Sequence, residues 1–512
     1  MLLALGLAAP GRAAAPAAAG LGSALGGTLP APSPGPDAAS PAPGSTDSAP
    51  APPDARPNVV FVLADDLSND LLRFMPGVRA LRRDGATLLR HVVTNSLCCP
   101  SRATILTGLL PHSSGIFRNT GADGGYTAFR ERGLEARTFA PSIEAAGYRT
   151  ALMGKYLNRY DPTRDDPPPG WTRWVGGGNG YRGFDYALNV DGQVVRHGSR
   201  PADYVTDVLA EEGDRFVTSS VQAGRPFLLT VSTYAPHAPF VPAPRDRHRF
   251  PRARAPRGPA FGVENRDAPR WLRDLPRLTA RNVHTIDRKF RRRARAVQAV
   301  DRLLQRLRAR LADLGVADRT YVVFTSDNGL HMGQHRLLSG KTTPFDSDIR
   351  VPMVVAGPGI APGSAVDALT SHVDLAPTFA AMTGVGVTAP RTDGRSLLPV
   401  LRGRAPRDWR DAAVVEHRGG GGTAGDPDAQ PPRAGAPPSY RALRTATTTY
   451  VEYDTGEREL YGLARDPHQT RNVYGELSQR RRQQLHRRLR ALRTCSGPAC
   501  ARGPRAPARR LP

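Results

Sequence analysis

Asn58-Val59-Val60-Phe61-Val62-Leu63-Ala64-Asp65-Asp66 is a continuous apolar, β-branched run that stops at two carboxylates. It does not alternate with polar residues, so it reads as a strand buried on both faces, the kind found inside parallel sheets covered by helices. Far downstream the pattern repeats as Thr320-Tyr321-Val322-Val323-Phe324-Thr325-Ser326, closed by Asp327-Asn328-Gly329. Further buried strands are expected at 150–153, 227–232 and 352–356. Between them the periodicity turns helical, at 138–146, 202–219 and 288–314. The last carries Val297, Val300, Leu304, Leu307, Leu311 and Leu314 on one stripe. Strands alternating with helices predict an α/β domain, with a large mixed, mostly parallel sheet sandwiched by helices.

Around that domain, the 512-residue chain changes composition sharply. Residues 1–29 begin with an apolar run, Met1 to Ala9, followed by Ala13-Ala14-Ala15, and read as a signal or apolar leader without a basic start. Residues 30–57 are rich in Pro and Ala and cannot bury a core, so they read as a disordered linker. The α/β domain is assigned to 58–418 and a flexible Gly/Pro loop to 419–439. A C-terminal α+β subdomain at 440–494 has antiparallel strands at 440–446, 448–453 and 458–463 and a helix at 477–492. A basic tail, 495–512, follows. Cys495 and Cys500 stand close enough in sequence to close a small disulfide loop, which suits an exported chain. No other apolar stretch is long enough to span a membrane, so no transmembrane anchor is expected. Together these features predict a secreted or cell-surface protein.

The formal net charge is +25, from 71 Lys and Arg against 46 Asp and Glu. Such an excess favours anionic partners. The arginines are scattered instead of gathered in one tail, which reads as compositional bias. The Arg-rich helix at 288–314 lacks interleaved aromatics and reads as a solvated face. Nucleic acid is therefore not an expected partner.

Ligands in open α/β sheets sit beyond the carboxyl ends of the strands. Asp65, Asp66, Asp327 and Asn328 lie at two such ends. Three carboxylates and an amide form a hard, all-oxygen set that suits Ca²⁺, with Mg²⁺ as the alternative, over zinc. Either pair alone would read as a turn or helix cap. A third stretch joins them: Cys98-Cys99-Pro100-Ser101-Arg102, then Leu106-Thr107-Gly108.

With that stretch complete, the chain resembles the sulfatases of the alkaline-phosphatase-like superfamily, over roughly residues 58–474. The resemblance implies that Cys98 is oxidised to formylglycine by a formylglycine-generating enzyme during maturation, Cys99 filling the variable position. The aldehyde hydrates to a geminal diol, one hydroxyl attacks sulfur, and the alcohol leaves. The second hydroxyl then loses its proton and expels sulfate as the aldehyde re-forms. Asp65, Asp66, Cys98, Asp327 and Asn328 are implied metal ligands. Arg102 is implied to support them, Lys155 and Lys341 to bind the sulfate, and His237 to protonate the leaving alcohol. Leu157 departs from the family, which often has His there, so Asn158 enters as a substrate contact. His331 and His335 are further candidates for that contact or for the base. Within the family, Gly154-Lys155-Tyr156-Leu157-Asn158 and Trp174-Val175-Gly176 resemble N-acetylglucosamine-6-sulfatases and heparan-sulfate endosulfatases. This implies a sulfated sugar substrate. Two other readings stay open: a phosphodiesterase or phosphonate hydrolase of the same superfamily, and an inactive sulfated-glycan-binding protein.

Overall fold

The computed structural model describes residues 55–385, 392–420, 426, 428–430 and 432–503. The expected leader, nearly all of the linker, part of the 419–439 loop and the end of the basic tail lie outside the described residues.

Ten strands form the main sheet: β1 (Asn58–Ala64), β2 (Ala86–Val92), β3 (Arg149–Lys155), β4 (Arg173–Gly177), β5 (Tyr186–Val190), β6 (Gln193–His197), β7 (Phe227–Ser232), β8 (Thr320–Ser326), β11 (Met353–Ala356) and β12 (Ser364–Ser371). Two short strands, β9 (His331–Met332) and β10 (Ser339–Gly340), make a separate hairpin. The spatial order is β12-β2-β11-β8-β1-β7-β3-β4-β5-β6. The centre, β8-β1-β7-β3-β4, is parallel, whereas β11 runs antiparallel to β8 and β2, and β4-β5-β6 is an antiparallel edge. The sheet is mixed, as the sequence predicts.

β1 shows why. Val60, Val62 and Ala64 enter one core, beside the helices Val205–Gln222 and Ala280–Asp313. Val59, Phe61 and Leu63 enter the other, beside the helices Phe139–Ala145 and Leu375–Met382. Alternate side chains point to opposite faces, so a strand with helices on both must be apolar at every position. Each fully buried Val, Leu or Phe contributes about 1.5–3 kcal/mol of transfer free energy.

The helix read at 288–314 starts earlier, at Ala280. Thr279 and Asn282 cap it reciprocally, and its added turns bury Ile286 and Asp287. The edge strands β4–β6 were not expected. They are short, and every residue of β6 except His197 is exposed, which leaves little periodicity to read.

The smaller sheet has the order β13 (Ala412–His417), β14 (Tyr440–Thr445), β15 (Thr448–Tyr453) and β16 (Arg458–Gly462), all antiparallel. Its first strand precedes the Gly/Pro loop in sequence. The helix Gln479–Arg493 packs on this sheet through Leu485, Leu489 and Leu492. Cys495 and Cys500 are disulfide-bonded, and Cys500 packs into the same core, so the start of the basic tail is folded. Before β1, the Arg56 guanidinium donates to the Ala146 carbonyl and the Tyr148 hydroxyl to the Pro57 carbonyl. The last linker residues are thus fastened down. Among the described residues, no helix is long and apolar enough to cross a membrane.

Candidate active site at the carboxyl edge of the sheet

Strand register assembles the site. β1 and β8 pair from Asn58↔Thr320 to Ala64↔Ser326, so both chains leave the sheet at the same level. Asp65-Asp66 and Asp327-Asn328 therefore emerge side by side. β7 ends opposite them, with Leu63↔Ser232, and leads to His237. β3 ends one step further along, with Gly154↔Ser232, and presents Lys155.

The helix Cys98–Thr107 abuts this edge with every residue buried. It stops at Gly108, in the left-handed region at φ 68°, where a Cβ would meet Thr392 Cγ2 at 2.9 Å. Ser101 Oγ donates to the Asp327 carbonyl at 2.5 Å. Arg102 Nε donates to Asp327 Oδ2 at 2.8 Å, and its Nη1 reaches the Lys155 carbonyl and Ser232 Oγ. The motif's serine and arginine thus fasten the helix to one acidic strand end. Burial disfavours the ionised Asp327, but the Arg102, Lys155 and Lys341 charges outweigh it and hold the carboxyl well below the usual range.

Carboxylates approach the Cys98 thiol. Asp65 Oδ1 lies 3.3 Å from its Sγ, and Asp66 Oδ1 at 4.0 Å. Asp66 itself sits at φ 61°, held by its amide on Asp327 Oδ1 at 3.0 Å. Burial, with the Asp327 charge added, pushes Asp65 up to about 6 despite Lys155, His237 and Arg102. Acids crowded this tightly resist ionising together, and a divalent cation would relieve that. Asn328 Oδ1 is buried without a hydrogen-bond partner, while its Nδ2 donates to Asp66 Oδ1. A free amide oxygen beside three carboxylates fits a hard cation. His237 also lies within reach of Asp65, Asp66 and Cys98. However, its Nδ1 contacts the Ala238 carbonyl and its Nε2 the Asp428 carboxylate. Both partners only accept, so both nitrogens carry protons and neither is free to bind a metal.

Cationic groups are interleaved with these acids. Lys341 Nζ stands 2.9 Å from Cys98 Sγ and 2.7 Å from Asp66 Oδ1. Lys155 Nζ pairs with Asp65 Oδ2 at 2.7 Å and lies over the Tyr181 ring. Burial opposes the charged form of His237, but Asp428, Asp66 and Asp65 raise its pKa above the ordinary value. Burial, then Asp327, Asp428 and Asp65, push the Cys98 thiol far up, so it is a poor thiolate here. Cys99 faces the apolar core, and burial pushes it up to about 12.

The remaining candidates separate. Leu157 is buried in the core, while Asn158 turns its Nδ2 to Asp428 Oδ2 at 2.9 Å. His331 pairs through Nδ1 with Asp348 at 2.9 Å, and lies opposite Gly340, the neighbour of Lys341. His335 hydrogen-bonds Asn265 and stacks on Phe345 at 4.0 Å; burial lowers it to about 3. No hydrogen bond or ion pair joins His335 to the Cys98 group among the described residues.

Three pocket residues escaped the sequence reading. Asn119 takes the Cys99 amide on Oδ1 and donates from Nδ2 to Asp428. Ser232 supports Arg102 from the end of β7. Asp428, in the Gly/Pro-rich loop, lies among the cationic groups. A Ser ending a buried strand is a faint signal, but nothing marks an Asp in a low-complexity stretch. Next to this centre opens a cleft of about 840 Å³, lined in part by Asn158, Arg159, Tyr181, Arg182 and Asp426.

The sequence profile of the Sulfatase family matches residues 57–385. The chain belongs to the sulfatase family. It is similar to N-acetylglucosamine-6-sulfatase of Capra hircus, 33% identical over 474 residues, which cover 87% of this chain and 85% of that relative. It is also similar to an extracellular sulfatase SULF-1 homolog of Drosophila melanogaster, 38% identical over 72% of this chain but 33% of that longer protein. Among solved structures, BT4656 in complex with its substrate D-glucosamine-2-N,6-O-disulfate superposes with a TM-score of 0.72, at 23% identity, over 85% of this chain and 97% of that one. The phosphonate monoester hydrolase of Agrobacterium radiobacter superposes with a TM-score of 0.64, at 25% identity, over 86% and 96%. This sulfatase is a sulfuric ester hydrolase with the alkaline-phosphatase-like fold.

Proposed function

We propose that this sulfatase removes sulfate from a sulfated carbohydrate, of the N-acetylglucosamine-6-sulfate kind, using formylglycine at position 98 and a divalent metal, Ca²⁺ before Mg²⁺. The observation that carries the reading is the mixed charge around Cys98 Sγ: Asp65 lies 3.3 Å from it and Lys341 2.9 Å. A cation site and an anion site then meet at one reactive carbon.

Asp65, Asp66, Asp327 and Asn328, with residue 98, would hold the metal. When bound, it supplies Lewis acidity and lowers the pKa of a hydroxyl. Lys155 and Lys341 neutralise the sulfate oxygens as charge shifts toward them. His237 carries protons on both nitrogens and gives the Nε2 proton to the departing sugar oxygen. Arg102 positions Asp327 and takes no part in bond making. Formylglycine at 98, beside Asp65 and Lys341, would supply the hydroxyl nucleophile for sulfur and a second hydroxyl whose deprotonation would let sulfate leave without a separate attack by water, while His237 protonates the departing sugar oxygen. The poorly ionised Cys98 thiol supports this route over thiolate catalysis.

Residues 58–418 are assigned the chemistry. The 440–494 unit supports one wall, since Tyr440 Oη donates to the Thr342 carbonyl beside Lys341. The adjoining cleft suits the sugar, with Asn158 as a contact; His331 is kept as a second-rank contact. His335 is the weakest of these assignments, being engaged by Asn265 and Phe345. The apolar leader, the C-terminal disulfide and the extracellular relative favour secretion after maturation by a formylglycine-generating enzyme.

The phosphonate hydrolase neighbour keeps phosphoryl transfer as the second reading. Aryl sulfates, aryl phosphodiesters and 6-sulfated glucosamines should be compared on the metal-loaded enzyme. The expected order places sulfates first, and equal or greater kcat/KM on phosphodiesters would reverse it. The mass of the peptide containing Cys98 reports the modification directly, because conversion to the aldehyde removes the sulfur.

A further inference from the structure

The cationic groups of the pocket already hold an anion. Asp428 Oδ1 contacts His237 Nε2 at 2.5 Å and Lys341 Nζ at 2.6 Å, and lies 3.6 Å from Cys98 Sγ. Its Oδ2 accepts from Asn119 Nδ2 at 2.8 Å and Asn158 Nδ2 at 2.9 Å. The side chain is buried, and among the described residues every group that its carboxylate hydrogen-bonds is a donor. These donors include the groups assigned to the sulfate and to the leaving oxygen. A second anion entering beside this carboxylate would meet a like charge in a buried, low-dielectric setting, where repulsion is strong.

We propose that Asp428 is a built-in occupant of the sulfate-binding position, a plug which a substrate sulfate must displace. This rests on the reading that the pocket receives a sulfate ester. Described neighbours hold Asp428 in this position. Asp426 Oδ1 accepts the Asp428 amide at 2.9 Å, and Gln430 Nε2 donates to the Asp428 carbonyl at 2.8 Å. Further along, the Leu338 amide donates to the Arg433 carbonyl, and Thr342 Oγ1 to the Gly435 carbonyl. The fastening is therefore to the segment that carries Lys341, and Asp426 lines the adjacent cleft. A sugar sulfate arriving through that cleft meets Asp426 in its wall before it reaches the buried Asp428. The plug sets a threshold: free inorganic sulfate, with one anionic group and no sugar contacts, displaces it poorly, whereas a sulfated sugar adds binding from the cleft.

The test compares the metal-loaded wild type with Asp428→Asn and Asp428→Ala. Inorganic sulfate binding, by calorimetry, should tighten at least tenfold in both variants, KM for a sulfated glucosamine should fall, and metal content should stay unchanged. Unaltered sulfate affinity, a tenfold loss of kcat/KM, or loss of metal would each overturn the plug, the last two making Asp428 a substrate contact or a ligand. Should the variants fail to fold, hydrogen exchange on the wild type decides. Saturating sulfate should speed exchange across 428–435, and slower or unchanged exchange would overturn the proposal. Wild type that turns over no sulfate ester would instead defeat the functional reading, leaving the two failures distinguishable.

Discussion

The acidic and cationic halves of the pocket are equally buried but are built differently. The acidic half hangs on two paired strands, and the β1–β8 register alone brings Asp65, Asp66, Asp327 and Asn328 together. The cationic half is gathered from separated segments: Lys155 from the end of β3, His237 from the loop after β7, Lys341 beside a two-stranded hairpin, and Asn119, Asn158 and Asp428 from loops. The difference separates a sheet-fixed set from a loop-borne one: under the proposed function the first would hold a small ion and the second would face the larger sugar.

Removing the Cys98 sulfur, which both sets approach, should have the largest effect. Cys98→Ala should abolish turnover with the fold retained, whereas Cys99→Ala should keep turnover and lose about 1–2 kcal/mol of stability from lost packing. Turnover and thermal melts of both variants check this, and the reverse pattern would transfer the nucleophile to Cys99.

Breaking the acidic half comes next. Asp327→Asn should release metal, measured by elemental analysis, and cost at least about 100-fold in kcat, consistent with several kcal/mol of Lewis-acid stabilisation. Lys341→Ala should lower kcat with metal retained. If both variants lost metal alike, the division into halves would fail.

His237→Ala should slow alkyl sulfates by about 10²–10⁴ and activated aryl sulfates far less, because only poor leaving groups need the proton. The protonated ring is the active form and its pKa is raised in the free enzyme, so kcat/KM on alkyl sulfates should fall as pH climbs through that raised value. Towards acid, protons compete with the metal for Asp65, which burial and Asp327 raise to about 6 in the metal-free site, so metal affinity should fall as pH drops. A flat alkaline limb would remove His237 as the acid.

The smallest expected effect lies outside the pocket. His112 Nδ1 pairs with Glu416 at 2.8 Å, joining the large domain to the small sheet. Burial opposes the charged ring, but Glu416 raises its pKa overall. The pair's stabilisation is then complete below the unfolded value of His and is lost as pH rises through the folded one. Glu416→Gln should cost roughly 1 kcal/mol at pH 5.5, and less at pH 8.5, with kcat unchanged. Melts at the two pH values measure the difference.

The acidic half was legible in the sequence because it needs only two short local signals, an apolar run and the acids that end it. The Cys98 motif was legible for the same reason, since its Ser101 and Arg102 act within one helical turn of the cysteine. Asn119 and Asp428 were not legible. An Asn after a Phe-Arg and an Asp between prolines and alanines carry no pattern, and their meaning comes from segments 309 positions apart. Likewise, β13 could not be assigned to the smaller sheet from its own residues, because its partner lies beyond the Gly/Pro loop.

Sequence by itself determined the doubly buried strands, the acids at their ends and the cysteine motif on its short helix, since these depend on neighbours a few residues away. Tertiary structure alone decided how those parts face one another. The parallel register set the carboxylates on one level, Arg102 tied the helix to Asp327, and loop closure carried Asp428 among His237, Lys341 and the two asparagines. Electrostatic meaning in a buried pocket depends on distances of a few ångströms, and chain order does not fix those distances between remote segments.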